Sequence, residues 1–106
     1  MMKLSLALAF MTGLFVGTAL AGDPVAGEAK SKPCVACHGA DGNSATADFP
    51  RIAGQPADYL VKALRDYKSG ARKNAIMAPQ AANLSRRDME DLAAFYSRKQ
   101  GVTLKY

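Results

Sequence analysis

Two stretches of this chain repeat apolar residues at helical spacing. Tyr59, Leu60, Ala63, Leu64 and Tyr67 form one stripe, with Lys62, Arg65, Asp66 and Lys68 largely off it. Met89, Leu92, Ala93 and Tyr96 form another, with Phe95 beside it. The first stripe predicts a helix from near Gln55-Pro56 to Ser69, stopped at Gly70. The second predicts a helix from Ser85 to about Gln100-Gly101. Ser85 with Asp88 three residues on makes a capping-box-like start, and Asp88, Glu90 and Asp91 suit the positive end of the helix dipole. A third helix is expected from Asp23-Pro24 to about Lys32, because Asp can cap and Pro suits the first turn. Its small residues Ala26, Gly27 and Ala29 allow another helix to come close. Pro33 breaks or kinks this helix, and a short turn follows from Cys34 to His38.

Polar loops separate these helices. Gly39 to Pro50 contains Asp41-Gly42-Asn43-Ser44, which is turn chemistry. Ala71 to Leu84 reads as a second loop. No convincing strand alternation, internal repeat or low-complexity segment is present, so the fold class is all-α, with three main helices and loops.

The first residues read as an address. Lys3 supplies one positive charge, Leu6 to Val16 is an apolar run broken only by Thr12 and Gly13, and Ala19-Leu20-Ala21 is an A-x-A cleavage signal. The run is short for a membrane span, which needs about 20 apolar residues. The expected organisation is a cleaved secretory leader over 1–21 and one small domain over 22–106, delivered to the periplasm. That domain is short for a self-sufficient core and calls for a staple. The whole chain carries 14 Lys and Arg against 9 Asp and Glu. Losing Lys3 with the leader leaves 13 against 9, a net +4. A modest positive charge suits docking on an acidic partner or simple solubility, and the dispersed basic residues argue against nucleic-acid binding.

The staple is suggested by Cys34-Val35-Ala36-Cys37-His38. C-x-x-C-H reads as a c-type haem attachment site. Two thiols a short helical turn apart can add across the two vinyl groups of one haem, and the next residue, His38, can ligate the iron. A thioredoxin-like redox pair would be expected on a background with strands. A structural zinc site needs four ligands, and this chain has two cysteines and one histidine. A Cys34–Cys37 disulfide remains an alternative, as does another metal, but the disulfide leaves His38 without a role.

The chain has no second histidine for the other axial position. A thioether is the natural alternative, and His/Met ligation raises the potential of cytochromes c. Residues 22–106 contain two methionines, Met77 and Met89. Met89 lies on a helical apolar stripe, which is ordinary core packing. Met77 lies in Asn74-Ala75-Ile76-Met77-Ala78-Pro79, a loop that can aim a sulfur at iron. Met77 is therefore the expected ligand, with open coordination or core filling as the alternatives.

Taken together the chain resembles the class I c-type cytochromes, closest to the short bacterial periplasmic kind, whether single-haem proteins or the halves of diheme ones. The resemblance runs from Gly22 to about Lys99. It rests on Cys34-Val35-Ala36-Cys37-His38-Gly39, Asp41-Gly42-Asn43-Ser44 and Phe49-Pro50-Arg51-Ile52-Ala53-Gly54-Gln55. It continues through Tyr59-Leu60, Lys68-Ser69-Gly70-Ala71-Arg72, Met77-Ala78-Pro79 and Asp91-Leu92-Ala93-Ala94-Phe95-Tyr96. The resemblance implies the cytochrome c fold around one covalent haem c. It implies that the Pro50 carbonyl accepts a bond from His38 Nδ1, and that Gly27 meets Phe95 between the first and last helices. It further implies that Arg72, and with it Arg51, faces a haem propionate, and that Asn74 bonds near the Met77 sulfur. Pro33 departs from the family pattern. The single haem motif leads to the expectation of one haem on this chain.

With both axial positions filled by protein, such a site carries one electron rather than a substrate. The expectation is a non-enzymatic shuttle between periplasmic redox proteins, such as a quinol-oxidising complex and a terminal oxidase or reductase. A haem subunit of a larger dehydrogenase and a haem-based ligand sensor are the alternatives. Likeness to half of a diheme protein leaves a homodimer open.

Overall fold

A computed structural model describes residues 22–101, together with residues 2, 3, 5, 7, 9, 12 and 13. The cleavage signal Ala19-Leu20-Ala21 and the tail Val102–Tyr106 lie outside the described residues. Five helices and no strands occur among the described residues: α1 Pro24–Lys30, α2 Lys32–His38, α3 Ala57–Ser69, α4 Met77–Ala82 and α5 Arg86–Ser97.

Helix α5 is the axis of the molecule. Ser85 caps it reciprocally: its Oγ accepts the Asp88 N–H at 3.0 Å, and its own N–H donates to Asp88 Oδ2 at 2.9 Å. Met89 and every residue from Asp91 to Tyr96 are buried. A single stripe cannot explain this. Both α1 and α3 pack on α5, so it needs two apolar faces. Leu92 and Tyr96 cluster with Leu60 of α3. The other face meets α1 at Gly27, where an added Cβ would lie 2.8 Å from Phe95 Cβ and against the Asp91 carbonyl. Glycine is needed there for close approach, as the resemblance implied. Phe95 and Tyr96 meet edge to face, with ring centroids 5.0 Å apart.

An ionic clasp locks α1 to α5. Asp91, with its side chain 3 % exposed, accepts the Asp23 N–H at 2.8 Å and Lys30 Nζ at 2.7 Å, and Arg87 Nε lies 3.4 Å away. Lys30 also reaches Asp88 at 2.9 Å.

Helix boundaries depart from expectation in three places, one of them α5, which ends at Ser97 rather than near Gln100-Gly101. The first helix ends at Lys30 rather than Lys32, and the Cys34–His38 turn belongs to a separate helix, α2. Pro33 has no N–H and its ring crowds the carbonyl four residues back, so the break falls just before it, at buried Ser31. In the second loop, residues 77–82 form helix α4, which packs on α3. Gly70 ends α3 with φ 84°, as expected.

Candidate functional site

Helix α2 presents Cys34 near its start and Cys37 and His38 at its end. Cys34 packs against the core cluster that includes Leu92 and Tyr96. The loop after His38 is folded back by the Gly42 carbonyl, which accepts from Ile52 N at 2.9 Å and Ala53 N at 3.1 Å. Asn43 Nδ2 fastens the same loop to the Gln100 carbonyl at 2.9 Å. This brings the Pro50 carbonyl to 2.8 Å from His38 Nδ1. A carbonyl can only accept, so Nδ1 carries the proton and Nε2 keeps its lone pair for a metal. His38 itself is buried.

Beside His38 lies a cleft in two parts, about 800 and about 670 Å³ including their open mouths. Both parts are lined by Cys34, His38, Pro50, Tyr67 and Met77, so they adjoin. Leu60, Leu64 and Leu92 line the first part. Cys37 and Phe49 line the second. An apolar slot with two cysteines, a free imidazole nitrogen and a thioether on its walls fits a flat, apolar, iron-bearing ring. The donor set fits one covalently bound haem c through Cys34 and Cys37. Burial pushes the Cys34 thiol upward, which the neighbouring Tyr96 partly offsets.

Met77 lines both parts of the cleft, whereas Met89 is buried within α5 and lines neither. Met77 is the first residue of α4 rather than a loop residue. Asn74 holds the start of this helix. Its Oδ1 accepts the N–H groups of Ile76 and Met77, both at 2.9 Å. The amide thus fixes the Met77 backbone, where the resemblance placed it near the sulfur.

Arg72 lines the first part of the cleft, as does Arg51. The Arg72 guanidinium lies 4.7 Å from the centre of the Tyr67 ring, and its Nη1 donates to Tyr59 Oη at 3.5 Å. Two tyrosines therefore hold a cation at the rim. The sequence places Tyr59 and Tyr67 on an apolar stripe, and Tyr59 also within the family resemblance, with no role for either beside Arg72. A tyrosine on such a stripe still carries a hydroxyl that must find a partner, and that was the available signal.

Comparison with known proteins accords with this arrangement. The family model described as cytochrome c matches residues 25–97. The chain is 45 % identical over 103 residues to cytochrome c4 of Pseudomonas aeruginosa, covering 96 % of this chain and 51 % of that protein. It is 45 % identical over 83 residues to cytochrome c-554(548) of Halomonas halodenitrificans, covering 76 % of this chain and all of that one. It is 40 % identical over 98 residues to the thiosulfate dehydrogenase electron acceptor of Thiomonas intermedia, covering 92 % of this chain and 44 % of that protein. The crystal structure of reduced cytochrome c4 from Pseudomonas stutzeri superposes with a TM-score of 0.74 at 43 % identity, over 77 % of this chain and 48 % of that chain. The chain thus spans about half the length of the cytochrome c4 proteins it matches, and the full length of the shorter relative.

Proposed function

This chain belongs to the cytochrome c family, and from that premise we propose that it is a periplasmic one-electron carrier in which His38 and Met77 would hold the iron of a single haem c. The observation that carries the reading is the 2.8 Å bond from His38 Nδ1 to the Pro50 carbonyl, which leaves Nε2 free at a cleft that Met77 also lines. When bound, the haem supplies a one-electron iron couple. The chain's residues do the rest. His38 is oriented by its carbonyl partner. Met77 contributes a neutral sulfur that favours the reduced state. Leu60, Leu64 and Leu92, which line the first part of the cleft, would keep water off the ring. Arg72, steadied by Tyr59 and Tyr67, holds a positive charge where carboxylates of the ring can reach it.

If His38 and Met77 both ligate the iron, no position would be left for a substrate, which supports carriage rather than catalysis. Val35 in the attachment motif and Ile76 at the rim of the second part of the cleft are exposed apolar residues. They suit a small, transient docking face for redox proteins. The likeness to a thiosulfate dehydrogenase electron acceptor favours one partner class, a dehydrogenase that hands electrons to this chain. The leader reading completes the proposal: cleavage before Gly22 releases the domain to the periplasm.

The test is the visible spectrum of the chain expressed with haem-attachment machinery. We expect covalent haem and a weak far-red ferric band that Met77→Ala abolishes. Rapid carbon monoxide binding by the unmodified ferrous protein would overturn the axial assignment. Reduction of the ferric protein by thiosulfate with a thiosulfate dehydrogenase would identify the donor class; its absence would leave the other redox partners.

A further inference from the structure

Tyr96 is buried, 3 % exposed, and its hydroxyl has no hydrogen-bond partner among the described residues. Buried phenols are ordinarily satisfied, so an orphan on a cleft wall points to an acceptor that is completed only when the cleft is filled. Tyr96 and Cys34 line the same part of the cleft, and Cys34 packs against the cluster containing the Tyr96 ring. We propose that the Tyr96 hydroxyl is the positioning group for the Cys34 thioether, donating a hydrogen bond to its sulfur. This rests on the reading of Cys34 as a haem-bearing cysteine.

The chemistry of the two groups supports the pairing. A thiol carries its own proton, but a thioether sulfur can only accept. Burial, and after it the neighbouring Cys34, pushes the Tyr96 phenol upward, so it remains a donor at every physiological pH. The competing acceptors are few. Ser31 is one of them: it is buried beside Tyr96, its hydroxyl proton goes to the Glu28 carbonyl at 2.7 Å, and its lone pairs stay free to accept, so Ser31→Ala separates it from Cys34. The carboxylates of a haem lie on the edge opposite the one its thioethers hold. A donor on the Cys34 sulfur would fix that edge and draw electron density from it, which favours the reduced state.

The experiment is resonance Raman spectroscopy of the haem-loaded protein in H2O and D2O, with the reduction potential measured alongside. We expect a carbon–sulfur stretching band that shifts on deuteration. The shift should be lost in Tyr96→Phe, which keeps the ring, and in Cys34→Ala, whose haem is held by Cys37 alone. It should persist in Ser31→Ala. Tyr96→Phe should also lower the potential while the Met77-dependent ferric band stays in place. A band insensitive to deuterium in the unmodified protein overturns the proposal without any variant. So does a shift that survives Tyr96→Phe or Cys34→Ala. Covalent haem with no deuterium-sensitive band removes the role of Tyr96 alone; absence of covalent haem removes the reading beneath it as well.

Discussion

Gly27 sets how closely the first and last helices approach. Replacing a helical glycine by alanine ordinarily gains up to about 1 kcal/mol of helix propensity. Here the new methyl would meet Phe95 Cβ at 2.8 Å and the Asp91 backbone, and overpacking of this kind costs about 1–3 kcal/mol. Backbone cannot rotate away as a side chain can, so the clash wins. We expect Gly27→Ala to lower the stability of the haem-loaded protein by about 1–2 kcal/mol, read as an earlier denaturant midpoint. An unchanged or later midpoint would show that α1 can shift aside. Other single residues were legible to different depths. Cys34, Cys37 and His38 were read from spacing alone. Pro50 and the Gly27–Phe95 contact came from family resemblance. The clamp of Tyr59 and Tyr67 on Arg72 was not legible, because it joins α3 to a loop that only the folded chain brings back.

At the scale of elements, α4 is the weak point. Six residues cannot sustain a helix in water, so α4 depends on packing against α3 and on the Asn74 side chain at its start. Capping side chains of this kind contribute about 1 kcal/mol. Asn74→Ala should therefore loosen Met77 before the protein unfolds. The check is a thermal ramp in which the Met77-dependent ferric band disappears earlier than helical circular dichroism; simultaneous loss would assign the retention of Met77 to packing alone. The α1–α5 clasp gives a pH prediction. The Ser85 backbone N–H and Lys30 hold the Asp88 carboxyl down to about 2, and Lys30 with the Asp23 N–H lowers that of Asp91. The unfolded chain binds those protons more readily than the folded one. The clasp's contribution is present above the ordinary value of 3.8 and is lost as pH falls from there towards 2. Melting temperature should drop across that interval, and Lys30→Gln should flatten the drop. A slope unchanged in Lys30→Gln would move the acid sensitivity elsewhere. Sequence periodicity located α3 and α5, and the Ser85–Asp88 box was readable directly. Helix α4 was not, since residues 77–82 show no apolar stripe and are ordered by their surroundings.

The whole molecule has a cleft where a small domain would otherwise keep its centre. Among the described residues the buried apolar side chains beyond alanine are Leu60, Met89, Leu92, Phe95 and Tyr96, which is a thin core. We expect the chain with Cys34 and Cys37 both replaced by alanine, made without haem, to show weak helical circular dichroism and no cooperative melt. A sharp transition in that chain would mean that the helices support one another without the cofactor. The sequence by itself determined the chemistry: two thiols at fixed spacing, one histidine beside them, few candidate sulfurs and an all-helical pattern. Those follow from local periodicity and from residue types that are scarce. The tertiary structure decided the environment: which methionine faces the cleft, which carbonyl fixes the imidazole, why α5 needs two buried faces and why Tyr96 is left with an unused proton. Each depends on residues far apart in the chain meeting at hydrogen-bond or contact distance, and no local pattern encodes those meetings.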